Sequence, residues 1–427
     1  MRKIQGFSIT LNSPRQVFYP GETVYGQVNM TVIEPVKMRG LRIELEGEAH
    51  CHWSETHGSG ENKRTVHYTG HQDILKLVSV LFGNLPHCGG DKIMHPEGSH
   101  VYQFQFQLPS YLPSSFEGGT GRIRYTLKAV IDRPWRFDHK VRYPLIINEL
   151  IDTNRPEYAM NKPSGNESKQ VGCLCCVAGM LAVQGGLDRG AYCPGEYLLI
   201  TAHCNNGTTR DMDAMNAKLV QVIKYHARNK TKTRTKTISR IAGQPIPQKE
   251  DCTWTNQALQ IPGTCPTINN AVVEVTYYVE VHVDVPWGID LRLYLPVVIG
   301  TIPYRPVYNV VQDYGPILPP SYESGMVPQP TAGIAPPPPT LFGYPDIPPP
   351  SYAAAIGDQD VHVGDGDDKV EWGNQRYIPF YTYATPHQGP APDYGAYPPP
   401  SYNQALGATA PPMVGNTVVS VQPAQYT

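Results

Sequence analysis

The chain has 427 residues, which suits two or three domains because a domain usually holds roughly 100–200 residues. Charged residues make up 17% of the chain, and its 43 prolines are twice the usual share of about 5%. Part of the chain therefore differs from an ordinary globular domain. The net charge of −2 excludes binding to nucleic acid along the whole chain, because that partner requires a large positive excess.

The first residues, Met1-Arg2-Lys3, are basic but are followed by no apolar run, so we expect no secretory signal. The longest apolar stretch, residues 172–183, is too short to cross a bilayer. Nine cysteines, an odd number, fit reduced thiols better than a set of disulfides. These features predict a cytoplasmic protein.

Short runs of alternating apolar and polar residues fill the first 302 positions, for example Leu41–Leu45, Val101–Phe106 and Val273–Tyr277. Alternation with a period of two is typical of strands that have one buried face. β-branched residues, which suit a pleated surface, are frequent in the later runs. The pattern predicts an all-β fold built from sandwiches.

Several short motifs occur twice in the same order, 174 residues apart for the first pair and 152–153 residues apart for the others. The repetition predicts two copies of one sandwich, residues 1–152 and 171–303, joined by a linker at 153–170. Each Pro-Gly-Glu predicts a tight turn. The motif pairs are Tyr19-Pro20-Gly21-Glu22 with Tyr192-Cys193-Pro194-Gly195-Glu196, Gln107-Leu108-Pro109 with Gln260-Ile261-Pro262, Pro134-Trp135 with Pro286-Trp287, and Tyr143-Pro144-Leu145-Ile146-Ile147 with Leu295-Pro296-Val297-Val298-Ile299.

The first copy has about twenty extra residues, and its polar segment His57–Thr69 predicts a surface loop. In His71–Asn84, apolar residues at roughly helical spacing predict a short helix. The densest group of potential metal ligands lies nearby, but its irregular spacing favours exposed loop histidines over a zinc site, and we predict no metal. That group is His50, Cys51, His52, His57, His67 and His71.

Residues 230–237 alternate between a cation and threonine, which on a strand places all four cations on one face. Such a row can bind acidic lipid headgroups or a phosphorylated tail, each cation contributing about 1 kcal/mol near a membrane. The alternative is an edge strand that lysine keeps soluble. The four residues of this basic row are Lys230, Lys232, Arg234 and Lys236.

The sequence contains no motif of a catalytic or cofactor site. It has no phosphate-binding Gly-Lys-Ser/Thr loop, no His-Glu-x-x-His, no Gly-x-Ser-x-Gly and no Gly-x-Gly-x-x-Gly before a helix. We therefore predict a protein that is not an enzyme, with no catalytic residue and no cofactor.

The composition changes at Pro303. From there to the end, three basic residues stand against ten acidic ones, and 25 of the 43 prolines fall in these 125 residues. A segment of this composition cannot bury enough apolar surface to form a core. We predict that residues 304–427 are a disordered Pro-rich tail.

The tail carries three copies of Pro-Pro-x-Tyr. Two prolines pre-form a polyproline II turn that binds the aromatic groove of a WW domain at little entropic cost, and the tyrosine fills a neighbouring pocket. The tyrosines are 30 and 50 residues apart, spans of about 30 and 40 Å in a flexible chain, which suit tandem WW domains. The predicted WW-binding residues are Pro319, Pro320, Tyr322, Pro349, Pro350, Tyr352, Pro399, Pro400 and Tyr402.

Over residues 1–303 the chain resembles the arrestin-domain-containing proteins, or α-arrestins, and the Pro-Pro-x-Tyr tail is a further trait of that family. The resemblance rests on the first Pro-Gly-Glu motif, Leu112-Pro113-Ser114-Ser115-Phe116-Glu117-Gly118, Ile123-Arg124-Tyr125, Asp132-Arg133-Pro134-Trp135, Trp254, Ala258-Leu259-Gln260-Ile261-Pro262 and Leu295-Pro296-Val297-Val298-Ile299-Gly300.

The resemblance implies two tandem arrestin-type, immunoglobulin-like β-sandwiches followed by the tail. It also implies an adaptor whose arrestin domains engage transmembrane receptors or transporters as cargo and whose Pro-Pro-x-Tyr motifs recruit HECT-type E3 ubiquitin ligases through WW domains. The expected outcome is cargo ubiquitination, endocytosis and endosomal sorting. Such a protein is cytoplasmic and recruited to the plasma membrane and endosomes, and nucleic acid is not among its partners.

Two alternatives stay open. The thioredoxin-interacting branch of the family uses a reactive cysteine just before the tryptophan that corresponds to Trp254, and Cys252 lies one residue out of that spacing. This resemblance implies a redox or metabolic regulator. A sorting scaffold without a ligase, similar to the arrestin-fold subunit of retromer, is the other alternative. A budding role is disfavoured because residues 330–333 read Pro-Thr-Ala-Gly rather than Pro-Thr-Ala-Pro.

Overall fold

A computed structural model describes residues 3–13, 17–84, 92–133, 138–173 and 176–305, together with Tyr377, Pro379, Tyr381 and Ala384 of the tail. Most of the described residues lie in β-strands, as the alternating pattern predicted. Within these ranges there is no helix whose length and hydrophobicity would let it cross a membrane.

The N-terminal sandwich packs a three-stranded sheet, in the order β1-β3-β8, against a larger sheet in the order β2-β11-β10-β5-β6, with β9 beside β10 and a separate β4-β7 pair. A short 3₁₀ turn at Gly60–Asn62 joins β5 to β6. The strands are β1 Ile4–Leu11, β2 Val17–Phe18, β3 Thr23–Val32, β4 Val36–Met38, β5 Gly40–His57, β6 Arg64–Gly83, β7 Ile93–His95, β8 Gly98–Gln107, β9 Phe116–Glu117, β10 Gly121–Asp132 and β11 His139–Ile147.

The C-terminal sandwich repeats this plan, with sheets in the order β12-β13-β15-β18 and β14-β20-β19-β16-β17. The prediction of two copies of one sandwich is confirmed. The elements are helix α1 Pro156–Ala159 and strands β12 Ser164–Cys173, β13 Cys176–Leu187, β14 Ala191–Tyr192, β15 Tyr197–Thr208, β16 Ala214–Ala227, β17 Lys230–Ile241, β18 Asp251–Gln260, β19 Val273–Asp284 and β20 Leu291–Ile299.

The repeated Pro-Gly-Glu motifs form equivalent tight turns, as predicted. Gly21 and Gly195 have φ of 84° and 93°, values that favour glycine. Each glutamate closes its turn twice. The Glu22 N–H donates to the Tyr19 carbonyl at 3.1 Å, and the Glu22 carboxylate accepts the Tyr19 N–H at 3.0 Å. The Glu196 carboxylate accepts the Cys193 N–H at 2.7 Å in the same way.

The predicted helix over His71–Asn84 is wrong, because this segment is the second half of β6. The pairing of β6 with β5 slips twice, leaving Ile74 and Leu81 as extra residues without a partner opposite them. Each such bulge shifts the alternation of the side chains by one residue. Two bulges seven residues apart therefore bring apolar residues to a spacing that imitates a helix.

The predicted loop at His57–Thr69 is also mostly strand. Strands β5 and β6 have 18 and 20 residues, whereas the equivalent β16 and β17 have 14 and 12, so the extra residues of the first copy lengthen a hairpin. Several histidines of the potential metal group lie on this hairpin and contact one another across the strands. The rings of His52 and His67 stack with centroids 5.7 Å apart.

The outer part of this hairpin packs on the C-terminal sandwich along a seam. At Gly70, an added Cβ would lie 2.2 Å from the His226 carbonyl oxygen. At Gly121, on the neighbouring strand β10, it would lie 2.8 Å from the ring of the buried Tyr225. The Cys51 thiol contacts the same His226 oxygen at 3.5 Å. Residues of both sandwiches consequently share one hydrophobic core cluster.

The predicted linker, residues 153–170, is shorter in the structure. Helix α1 lies within it, and β12 begins at Ser164 and pairs with β13 from Ser164 opposite Gly186. The physical reason is that β13 pairs with β15 on one side only, and the polar segment pairs with the backbone groups on its other side and becomes the edge strand of the sheet. The connecting segment therefore ends before Ser164.

The two sandwiches are also joined where β11 leaves the first and β20 ends the second. The Thr301 hydroxyl accepts the Ile151 N–H and donates to the Glu149 carbonyl, both at 2.8 Å. The Glu149 N–H donates to the Ser114 hydroxyl at 2.9 Å. Burial of the Glu149 side chain at this junction raises its pKa to about 7.

We expect Gly70→Ala to lower the free energy of unfolding of the full chain by roughly 1–3 kcal/mol, because the new methyl group meets a backbone carbonyl that cannot move aside. Urea denaturation measures the change. Gly6→Ala is the matched control, since its Cβ would make an ordinary contact, 3.4 Å from the Thr31 hydroxyl. Equal stability of the two variants would contradict the close seam.

The raised pKa of Glu149 predicts a pH dependence. Between pH 4.5 and about 7 the folded chain keeps a proton that the unfolded chain has lost, so stability falls as the pH rises through this window. We expect Glu149→Gln to raise the free energy of unfolding by roughly 1–3 kcal/mol at pH 8 and to change it little at pH 4.5. The exposed Glu157→Gln is the control. A gain independent of pH would reject this explanation.

Candidate functional site

The nine predicted WW-binding residues, from Pro319 to Tyr402, lie outside the described residues. Their role stays a prediction from the sequence. The described part of the chain contains two other candidate surfaces. One is the basic row on β17, and the other is a pocket in the N-terminal sandwich that is built from the motif residues around Ser115 and Arg124.

The basic row lies on β17, which is the edge strand of its sheet. The pairing of β17 with β16 is unbroken from Lys230 to Thr237, so the four cations share one face, as predicted. On that face their partners in β16 include Tyr225 and Gln221, which are both buried. The row therefore points to the core side of the sheet, a direction that the alternation alone did not reveal.

Two cations of the row bind the long hairpin of the N-terminal sandwich. The Lys230 ammonium forms an ion pair with Glu55 and lies 5.0 Å from the centre of the Tyr68 ring. The Lys232 ammonium lies 5.9 Å from the centre of the Trp53 ring. Lysine over an aromatic face is an attractive contact. These two residues thus contribute to the seam, whereas Arg234 is exposed.

The motif Leu112–Gly118 runs along the end of β11 and is held there by side-chain hydroxyls. The Ser115 hydroxyl accepts the Ile147 N–H at 3.0 Å, in addition to the Ser114 bond to Glu149. The Tyr125 hydroxyl donates to the Pro113 carbonyl at 2.7 Å. These bonds satisfy buried backbone groups that would otherwise lack partners. Ser114 and Ser115 therefore have a structural role.

Beside the serines lies a nearly buried ion pair between Arg124 and Glu117. The guanidinium donates through Nε to one carboxylate oxygen and through Nη2 to the other, the second bond being 3.0 Å long. Their side chains are only 12% and 10% exposed. A bidentate pair of this kind fixes the plane of the guanidinium. Arg124 is thereby held with its guanidinium carbon 5.4 Å from the centre of a tail tyrosine, Tyr377.

Tyr377 and Tyr381 reach this pocket from the tail, although sequence analysis singled out neither. The Tyr377 hydroxyl lies within 3.2 Å of the Tyr125 amide nitrogen, 3.0 Å of the Leu145 carbonyl and 2.9 Å of the Ser115 hydroxyl. The Tyr381 hydroxyl donates to the Ser115 carbonyl at 2.8 Å. We call Ser115, Arg124, Tyr125 and Leu145 the tyrosine pocket. The one signal in the sequence was a cluster of tyrosines in an otherwise Pro-rich tail.

A third tail residue, Ala384, lies against the junction of the sandwiches. Its N–H donates to the Thr301 carbonyl at 2.9 Å, and its side chain packs with Val17, Tyr19 and Ile146. Tyr377, Pro379, Tyr381 and Ala384 are all buried. The tail thus meets the body of the protein through both hydrogen bonds and apolar contacts.

Cys252, the candidate redox residue, lies on β18 opposite Cys204 of β15. Burial raises the pKa of its thiol, which lowers the share of reactive thiolate at neutral pH. All five cysteines whose side chains are described are free thiols. In the same part of the chain, no three His, Cys, Asp or Glu residues are arranged to hold a metal ion.

Comparison with known proteins agrees with this architecture. The profile of the arrestin (or S-antigen) N-terminal domain matches residues 7–154, and that of the C-terminal domain matches residues 178–304. Human arrestin domain-containing protein 4 is 31% identical over 306 residues, which cover 71% of this chain and 73% of that protein.

Two further relatives match a comparable share of the chain. Mouse arrestin domain-containing protein 4 is 33% identical over 66% of this chain and 68% of its own length. Pig thioredoxin-interacting protein is 30% identical over 70% and 75%. With both arrestin domains matched and built as tandem sandwiches, the chain belongs to the arrestin family, in the branch of the arrestin-domain-containing proteins or α-arrestins.

Proposed function

We propose that this α-arrestin is a non-catalytic adaptor that brings WW-domain HECT-type ubiquitin ligases to transmembrane receptors or transporters. The observation that carries the proposal is the joining of two arrestin domains to a tail with three Pro-Pro-Ser-Tyr motifs. Ubiquitination would then lead to endocytosis and endosomal sorting of the cargo. The protein would act in the cytoplasm and at the plasma membrane and endosomes.

The physical basis of such an adaptor is effective concentration. A single Pro-Pro-x-Tyr motif presents a preordered but small contact, so its affinity for one WW domain is modest. Three motifs on one chain turn the second binding event into an intramolecular one, which raises the overall affinity by roughly 10²–10⁴ when the partner has tandem WW domains. One relative is named for its interaction with thioredoxin. A redox role is less favoured for this chain, because burial raises the pKa of the Cys252 thiol.

We expect the triple variant Tyr322→Ala, Tyr352→Ala and Tyr402→Ala to lose the recovery of HECT-type ligases in a pull-down from cell lysate read by mass spectrometry. The reason is that each tyrosine side chain fills a pocket of the WW domain. The matched control replaces three other tail tyrosines, Tyr308, Tyr314 and Tyr394, with alanine and should keep the ligases. Recovery of the same ligases by both variants would reject the adaptor function.

Acidic membrane lipids are a second proposed partner, through the exposed part of the basic row. Lys230 and Lys232 already contact the N-terminal sandwich, and Arg234 is the exposed member of the row. Although the row faces the core side of the sheet, Arg234 is exposed on the edge strand β17. The proposed lipid contact therefore does not use all four residues of the basic row. It centres on Arg234, with Lys236 next to it on the same face.

We expect Arg234→Glu to weaken binding of the full chain to phosphatidylserine vesicles about fivefold or more, since a cation near an anionic surface contributes about 1 kcal/mol. Vesicle co-sedimentation against neutral phosphatidylcholine measures this. Arg240→Glu is the matched control, because Arg240 is also exposed on β17 but lies beyond a bulge that turns it to the other face. Equal loss in both variants, or no binding by the wild type, would reject the lipid contact.

A further inference from the structure

The tyrosine pocket and the tail residues that fill it suggest a regulated contact within the chain. We propose that Tyr377, Pro379, Tyr381 and Ala384 form a tail latch that binds the N-terminal sandwich reversibly and is released by phosphorylation of Tyr377. In that step a tyrosine kinase transfers the γ-phosphoryl group of ATP to the Tyr377 oxygen, ADP leaves, and the phenol proton passes to solvent. The proposal concerns the tail between the second and third Pro-Pro-x-Tyr motifs. It does not depend on the ligase-adaptor function and would stand if that function failed.

The Tyr377 hydroxyl completes the hydrogen bonding of two strands. The pairing of β10 with β11 ends at Tyr125 opposite Leu145. At that point the hydroxyl accepts the Tyr125 N–H at 3.2 Å and lies 3.0 Å from the Leu145 carbonyl, to which it can donate its proton. Tyr377 is 6% exposed, so water does not readily replace these bonds. The contact therefore selects a phenol over a phenyl ring.

The rest of the pocket fixes the position of the tyrosine rings. Arg124, held by its bidentate bond to Glu117, lies over the face of the Tyr377 ring. The Tyr381 hydroxyl binds the main chain of Ser115, the residue whose side chain also contacts Tyr377. Two tyrosines four positions apart are thus bound through one serine. This arrangement recognises a pair of tyrosines rather than a single aromatic residue.

The pocket is built for a neutral hydroxyl. Burial raises the pKa of Tyr377 well above its ordinary value, and the neighbouring Glu117 carboxylate acts in the same direction. A phosphate at this oxygen would carry about −1.5 to −2 charges and would have only acceptors to offer. It could not donate to the Leu145 carbonyl and would be repelled by it. The modification therefore requires, and then stabilises, the released tail.

The experiment uses the full chain with both Tyr377→Ala and Tyr381→Ala, which empties the pocket, and a fluorescent peptide of residues 374–386. We expect the peptide to bind this variant at least tenfold more tightly than the wild-type chain, whose own tail fills the pocket. The same peptide phosphorylated on Tyr377 should bind the variant at least tenfold more weakly. Equal binding to both chains, no binding to either, or tight binding of the phosphopeptide would overturn the proposal.

A second measurement covers loss of folding in the double variant. In the full chain, Tyr377→Phe removes one oxygen and keeps the ring, and Tyr394→Phe is the same change at a tail tyrosine outside the latch. Hydrogen exchange read by mass spectrometry should show at least tenfold faster exchange in peptides covering residues 113–127 for Tyr377→Phe. For Tyr394→Phe the exchange should equal that of the wild type. Unchanged exchange in Tyr377→Phe would show that the hydroxyl does not stabilise these strands and would contradict the latch.

Discussion

The arrangement of this α-arrestin depends on the close approach of two backbones at the seam between its sandwiches. The hairpin of β5 and β6 passes so near β16 that Gly70 leaves no room for a side chain against the His226 carbonyl. The ion pair of Glu55 with Lys230 extends the same contact outward. Since protein interiors tolerate little change in volume, this approach makes the two sandwiches one packed unit. The repeated domains therefore behave as a single platform for the tail.

Local chemistry explains which parts of the fold the sequence predicted well. The Pro-Gly-Glu turns follow from the fixed φ of proline and the free φ of glycine, and both residues act within four positions of each other. The paired sandwiches follow from motifs repeated in order. The predictions were wrong where residues that are distant in the sequence determine the local structure. The bulges at Ile74 and Leu81 require β5 opposite them, and the strand at Ser164 requires β13 beside it.

The same distinction separates the two kinds of functional residue. A Pro-Pro-x-Tyr motif carries its conformation and its contacts within four neighbouring residues, so it is visible without a structure. The tyrosine pocket is assembled from Ser115, Tyr125 and Leu145, which lie more than 200 positions from Tyr377, and two of its contacts are made by main-chain atoms that every residue has. No residue pattern encodes such a site. The direction of the basic row was hidden for a similar reason, because the face that is buried depends on β16.

The docked tail gives the three Pro-Pro-x-Tyr motifs unequal connections to the body. Tyr322 and Tyr352 lie in the sequence between Arg305 and Tyr377, two residues that both contact the body. Tyr402 comes after Ala384 in the sequence, and Ala384 is the last tail residue whose contact with the body is described. Contacts at two positions limit how far the residues between them can extend from the body, whereas a residue beyond the last contact is limited from one side only. Under the proposed adaptor function, a ligase bound to either of the first two motifs would therefore be held closer to the body than one bound to the third.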